Sequence, residues 1–143
     1  MLDTTELFVD GERQLGYYTI EIIRRVGNGW NPTVPPLHAV VSNYRLILKP
    51  QVRKAYTPAS IPSNYFSNVN SIEIGRHKGI QVSLSTGHDL YIMVSQRDSE
   101  NMVDDIRTML EPAPDFHFDD KIAQADIKRL IDFFNKAPTH PLD

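Results

Sequence analysis

The histidines and carboxylates are the residues of this sequence that could do catalytic or metal-binding chemistry. None of the five histidines pairs with another at the spacing that puts two metal ligands on one face of a helix. Asp115, His117 and Asp119 alternate and would share one side of an extended chain, but they lie in a proline-bounded linker. Gly27-Asn28-Gly29 is a lone Gly-x-Gly, which is more typical of a turn than of a phosphate-binding loop. We therefore expect no catalytic residues, no metal and no cofactor.

Basic residues are concentrated in the first part of the chain and acidic residues in the last part. Residues 13–88 contain nine Lys and Arg against two acids, a net charge of +7, whereas residues 97–143 carry −5. Such an excess favours an anionic partner, although the two regions could instead attract each other and hold C-terminal helices to a sheet. Nucleic acid is not expected, because the isoelectric point is about 5.9 and the cations are not interleaved with aromatic residues.

Trp30 is the only tryptophan, and it lies in a Gly- and Pro-rich segment, 27–36, that we expect to be a long irregular loop. An exposed tryptophan there could anchor a protein partner or a membrane interface. Since tryptophan is on average largely buried, the side chain could equally fold back onto the core. Both interpretations stay open, and Trp30 is the candidate partner anchor.

The elements that must position these residues are predicted mainly by hydrophobic periodicity. The clearest signal is a strict alternation of apolar and polar residues on either side of a turn at Thr86-Gly87. Its inward-facing residues are predicted to be Ile80, Val82, Leu84, Leu90, Ile92 and Val94. Shorter β-branched and aromatic runs predict further strands at 17–25, 37–41, 45–49, 61–62 and 69–76. The domain is therefore expected to be mainly β and antiparallel.

Near residue 95 the hydrophobic period changes from that of a strand to that of a helix. A first amphipathic helix is predicted over 96–110, and its apolar stripe should cover the preceding strands. A second is predicted from about Asp120 to Lys136, where Pro138 stops it. The stripe of this second helix is too apolar to stay exposed, so we expect it to pack on the domain or on a second copy of the chain.

The overall composition limits the class of protein. The chain has 143 residues, enough for one domain with its own core, and it contains no cysteine, which excludes disulfides and cysteine-bound zinc. No apolar run approaches the roughly 20 residues of a membrane-spanning helix, and the N-terminus lacks the features of a signal peptide. We therefore expect a soluble, cytoplasmic protein without a transmembrane segment, with peripheral membrane attachment as an alternative.

The stretch Val41–Leu48, with its Ser-Asn-Tyr-Arg-Leu run, resembles the strand–turn–strand of GRAM-like and bacterial pleckstrin-like domains, branches of the pleckstrin-homology superfold. GRAM domains carry Thr-Asn-x-Arg-Leu there, and Ser42 takes the place of the threonine. Ile61-Pro62 is similar to the Ile-Pro that opens the next strand of that family. The resemblance covers roughly residues 11–110 and implies a barrel of seven antiparallel strands in two orthogonal sheets, capped by a helix. The second helix, within residues 115–137, lies outside it.

The resemblance also implies a ligand-binding end, because the first, third and sixth loops of such barrels open on the same side. The basic candidates for an anionic ligand there are Arg24, Arg25, Lys49, Arg53, Lys54 and His88. Phosphoinositide-binding members carry cations along the second strand, where this chain has only His38.

Because this chain lacks cations along the second strand, we favour a non-catalytic interaction module that binds a protein partner. The alternative is a peripheral membrane module that binds anionic phospholipid headgroups, and an enzyme of unknown type is a second alternative. A homodimer formed through the C-terminal helix is compatible with both binding hypotheses.

Overall fold

The computed structural model of the chain describes residues 8–27, 29–34, 36–50, 58–94, 98–111 and 118–140. Eight strands form one antiparallel sheet, which two α-helices follow. The strands are β1 (Gln14–Val26), β2 (Gly29–Pro32), β3 (Leu37–Ser42), β4 (Arg45–Pro50), β5 (Ala59–Pro62), β6 (Phe66–Ile74), β7 (His77–Leu84) and β8 (Asp89–Val94). The helices are α1 (Ser99–Leu110) and α2 (Asp120–Lys136), and a 3-10 turn at Ser63–Tyr65 joins β5 to β6. The expectation of a mainly β, antiparallel domain is confirmed.

The sheet has the strand order β5-β4-β3-β1-β8-β7-β6, with β2 paired to the end of β1. The 13-residue strand β1 makes the sheet continuous, because it pairs with β3 from Gln14 to Ile20 and with β8 from Ile20 to Ile23. The expected barrel of seven strands in two orthogonal sheets therefore differs from the structure in strand count and in closure. Eight strands form one sheet, and its end strands β5 and β6 are not paired with each other within the described residues, so it is not a closed barrel.

The segment after β1, expected to be irregular, contains the short strand β2. Arg25 lies opposite Trp30, so the chain reverses tightly after β1 and runs back along it. Gly27 has a φ of 59°, a left-handed conformation that glycine adopts without steric cost. Pairing with the long partner strand therefore overrides the local loop propensity of this segment, and it places Trp30 on the sheet.

The core lies between the inner face of the sheet and the two helices. The six residues predicted to point inward from the β7–β8 hairpin are all at most 8% exposed. Ile80 lies opposite Ile92, and both belong to one apolar cluster with Val103 and Ile106 of α1. The predicted register of this hairpin is confirmed, as is the position of the first helix over it.

A hydrogen bond also fastens α1 to β1. The hydroxyl of Tyr18 donates to the carboxylate of Asp105. Burial, followed by this bond, raises the pKa of Tyr18 far above its usual value, so the phenol remains a donor. Gly16 leaves room for the pair, because a Cβ at that position would lie 2.2 Å from Asp105 Oδ2.

Helix α2 packs on the sheet of its own chain, mainly against β5. Its buried residues are Ala123, Ile127, Leu130 and Phe134. Asp119 begins the helix, since its side chain accepts the backbone N–H groups of Lys121 at 2.9 Å and Ile122 at 3.1 Å. The hydroxyl of Tyr65 donates to Asp120 Oδ1 at 2.7 Å and so ties the first turn to the sheet. The predicted bounds of this helix are confirmed.

The chain beyond α2 pairs with the segment that follows β2. The N–H of Val34 donates to the carbonyl of Pro138 at 2.8 Å, and the N–H of His140 donates to that of Pro32 at 3.1 Å. Thr33 and Thr139 form an antiparallel bridge between these two bonds. The second helix and its tail are therefore attached to the same part of the sheet that carries β2.

The β3–β4 turn, with its Ser42-Asn43-x-Arg45 sequence, holds the segment that precedes β1. Arg45 forms a two-pronged ion pair with Glu12, with Nε–Oε2 at 3.0 Å and Nη2–Oε1 at 3.1 Å. The hydroxyl of Ser42 donates to Glu12 Oε2 at 2.5 Å, and Asn43 Oδ1 accepts the N–H of Arg13 at 2.8 Å. The Glu12 side chain is 0% exposed. The motif residues therefore have a structural role in this chain.

Candidate functional site

The registers of the sheet bring the end of β1 and the start of β8 together, and they show where β4 ends relative to them. Ile20 of β1 lies opposite Leu37, the first residue of β3, and Leu37 lies opposite Pro50 at the end of β4. Ile23 of β1 lies opposite Tyr91, near the start of β8. The last residues of β1 and the first of β8 therefore share one end of the sheet, whereas β4 ends level with Ile20, six residues before β1 ends at Val26.

Three of the predicted basic residues, Arg24, Arg25 and His88, line one cleft at this end. The cleft has a volume of about 220 Å³. It lies between the end of β1, the start of β8 and the last turns of α2. Its apolar lining consists of Ile22, Ile23, Leu90, Ile131 and Phe134. We call it the β1–β8 cleft.

Arg24 is held by the C-terminal end of α2. Its Nη1 donates to the backbone carbonyls of Phe134 at 2.9 Å and Asn135 at 2.6 Å. These carbonyls belong to the last turn of α2, where the helix provides no N–H donor for its C=O groups. A positive charge is also favourable at this end of a helix. Arg24 therefore fixes α2 to β1, and its guanidinium is already engaged.

We expect the neighbouring arginines to respond differently to the same substitution. Arg24→Met should lower the free energy of unfolding by about 1–3 kcal/mol, because it removes charge-assisted hydrogen bonds at a helix end. Arg25→Met, at an exposed side chain, should cost less than about 1 kcal/mol. Urea denaturation of the two variants gives the comparison. Equal losses in both would contradict the assignment of Arg24 to the helix end.

Arg25 and Tyr91 both contact the ring of Trp30 at the surface beside the cleft. The guanidinium carbon of Arg25 lies 5.0 Å from the Trp30 ring centroid. The Trp30 and Tyr91 rings meet edge to face, with centroids 4.9 Å apart and planes at 61°. Trp30 and Tyr91 are half-buried and Arg25 is exposed. Trp30 is thus neither a free loop residue nor part of the main core cluster, and we call these three residues the tryptophan face.

Tyr91, Ile131 and Phe134 were not among the predicted site residues. The sequence does mark Tyr91, because it occupies an outward position in a strictly alternating strand. A large aromatic side chain is unusual on the solvent-facing side of such a strand. No local signal marked Ile131 or Phe134, because their stripe predicts burial without naming the element that it covers.

Lys49 lies apart from the other candidates and is only 8% exposed. It is opposite His38, which is opposite Thr19, five residues or about 17 Å before Arg24 along β1. The Nδ1 atom of His38 is buried and has no hydrogen-bond partner among the described residues, and the ring lies 5.4 Å from that of Tyr17. Burial, with the nearby Lys49 charge, lowers the pKa of His38.

This environment predicts a stability that depends on pH. The unfolded chain binds a proton at His38 near its ordinary pKa of about 6.5, whereas the folded chain keeps the ring neutral to lower pH. The free energy of unfolding should therefore fall as the pH drops below about 6.5. In urea titrations between pH 7.5 and 5, the decline should be shallower for His38→Phe than for the parent. Parallel declines would show that His38 does not carry the effect.

A larger groove, of about 680 Å³, lies at the opposite end of β7 and β8. It is bordered by Arg76, His77 and Lys78 of the β6–β7 hairpin and by the start of α1. An exposed ion pair between Lys78 and Glu100, 3.5 Å long and 73% exposed on both sides, lies along it. One of the two basic side chains of this groove, Lys78, is thus already paired with its acidic residue, Glu100.

Two of the predicted anion-binding residues, Arg53 and Lys54, lie outside the described residues, as do Asp115 and His117 of the alternating trio. Asp119, the third member, serves as the cap of α2. Within the described ranges, no group of three or more histidines and acids is placed to hold a metal ion.

Known proteins resemble this chain in structure. No family model matches the chain, and no curated protein matches it. A solved structure described as the C-terminal domain of an unknown protein from Leishmania infantum covers 71% of this chain and 87% of its own. The two share 15% sequence identity, with a TM-score of 0.47. In the part of the chain that the structure describes, no helix is long and apolar enough to cross a membrane.

Proposed function

We propose that this chain is a cytoplasmic, non-catalytic interaction module that binds a segment of a protein partner through the tryptophan face. The observation that carries the proposal is the cluster of Arg25, Trp30 and Tyr91, in which Arg25 lies over the Trp30 ring and Tyr91 meets that ring edge to face. Tryptophan, tyrosine and arginine are the residue types that most often dominate the energy of protein interfaces.

The cluster is also well suited to binding because its side chains are already held in place. Trp30 is on a strand paired to β1, and Tyr91 supports its ring edge to face. Little side-chain freedom remains to be lost when a partner docks, which lowers the entropic cost of association. Arg25 keeps its exposed edge for hydrogen bonds to the partner.

We also propose that the domain is a pleckstrin-like, GRAM-like fold with an added strand and helix. The placement of β1 between β3 and β8, with α1 packed across the inner face, supports this relationship. The Ser42-Asn43-x-Arg45 turn supports it further, because its polar side chains are used to close the fold.

Binding to an anionic membrane is the second candidate function. Arg25 and His88 are exposed at the same end of the sheet as Trp30, and an arginine near an anionic surface contributes about 1 kcal/mol toward binding at low salt. Arg24 contributes less to this candidate, since α2 already occupies its guanidinium.

Selection of a displayed library of random 12-residue peptides against the whole chain tests the proposal. Selected peptides should bind the parent and lose roughly 30-fold or more in affinity on Trp30→Ala. Arg76→Ala, at the far hairpin, is the matched control and should bind as the parent does. Trp30 is the only tryptophan, so a change in tryptophan fluorescence reports contact between the peptide and this residue.

Two results would overturn the proposal. One is a set of peptides whose affinity is indifferent to Trp30→Ala, or the absence of any binding peptide. The other is sedimentation with phosphatidylserine vesicles that weakens with salt and is lost in Arg25→Ala, without peptide binding, which would replace it by the membrane function.

A further inference from the structure

We infer that the partner segment places one large apolar side chain in the β1–β8 cleft and pairs a neighbouring carboxylate with Arg25. This inference rests on the proposed function and gives the chemistry of its ligand. The cleft and the tryptophan face share two residues, Arg25 and Tyr91, so a segment lying on the face reaches the cleft without a break.

The size of the cleft points to a side chain as its occupant. Its volume of about 220 Å³ is below the range of about 300–1,000 Å³ that is usual for small-molecule sites. Ile22, Leu90 and Phe134 form buried parts of its lining, and Ile131 is half-buried there. An apolar side chain that entered this lining would itself be removed from water, which is favourable in proportion to its buried area.

The charges around the cleft select an acidic segment. Arg25 is exposed and stacked on Trp30, whereas the charge of Arg24 is engaged by α2 carbonyls. Asp89 and His88 lie on the β8 side of the cleft, and both are exposed. Asp89 lies near Arg25 across the β1–β8 pairing and offsets part of its charge. Arg25 forms no ion pair among the described residues, so its planar guanidinium can bind a carboxylate with two hydrogen bonds.

Matched peptides separate this inference from the proposed function. Each peptide that needs Trp30 is synthesised as selected, with its acidic residues changed to amides, and with its largest apolar residue changed to alanine. Affinities for the parent, Arg25→Gln and Ile131→Ala chains are then measured by calorimetry at two salt concentrations.

We expect the amide peptides to lose at least about tenfold in affinity for the parent, and to lose nothing further on Arg25→Gln. The alanine peptides should bind the parent chain roughly 30-fold more weakly than the selected peptides do. The Ile131→Ala substitution should then weaken binding of the alanine peptides less than it weakens binding of the selected peptides. Affinity of the acidic peptides should fall as salt rises.

The inference is overturned if peptides that need Trp30 bind equally well as acids and amides, or if Arg25→Gln weakens both forms alike. The proposed function would stand in that case. If no peptide needs Trp30, both fail together. Changes made on the peptide do not affect folding of the chain, so a destabilised Ile131→Ala variant leaves the acid–amide comparison decisive.

Discussion

Glu12→Ala is expected to lower the free energy of unfolding by about 3–5 kcal/mol, because it leaves the guanidinium of Arg45 without its buried partner. The Glu12 side chain is 0% exposed and that of Arg45 is 13% exposed. The carboxylate also accepts the hydroxyl of Ser42 and the N–H of Val9 at 3.0 Å, so one substitution removes several charge-assisted bonds. Urea denaturation measures the loss.

The chain offers a matched control in its exposed ion pair. Glu100→Ala removes the carboxylate that faces Lys78, where both side chains are 73% exposed, and should cost less than about 1 kcal/mol. In a double-mutant cycle, Glu12→Ala combined with Arg45→Met should cost less than the sum of the single changes, since no buried charge is left alone. Similar losses for Glu12→Ala and Glu100→Ala would refute a structural role for the β3–β4 turn.

Ile106→Ala is expected to cost about 2–5 kcal/mol, because it opens a cavity where α1 meets the sheet. Ile106 is 0% exposed and belongs to the cluster that joins both helices to the inner face. Ile122→Ala makes the same chemical change at a side chain that is 64% exposed, and it should alter stability by less than about 0.5 kcal/mol.

Thermal and urea denaturation of both isoleucine variants measure the difference. A loss below 1 kcal/mol for Ile106→Ala would mean that the packing of α1 on the sheet is loose. The same experiments show whether the variants remain folded, so peptide binding by Ile122→Ala serves as a control for the tryptophan face.

The candidate site was only partly predictable from the sequence. The strand order expected for a pleckstrin-like fold placed Arg24, Arg25 and His88 at one end, and they line one cleft there. Residue type could not distinguish the two arginines, although one binds the carbonyls of a helix 110 residues away in the chain and the other is exposed. Lys49, which the sequence predicts to be an exposed basic residue at the ligand-binding end, is buried opposite His38.

By itself, the sequence determined the elements whose signals are local. Period-2 alternation predicted which side of β7 and β8 is buried, and a helical period that ends before Pro138 predicted α2. Only the tertiary structure decided what depends on a distant partner: the pairing of β2 with β1, the stacking of Trp30 on Tyr91, and the use of Arg24 by α2. Periodicity records whether a side chain is buried, but the identity of its neighbour is set by how strands align across the sheet, which local sequence does not encode.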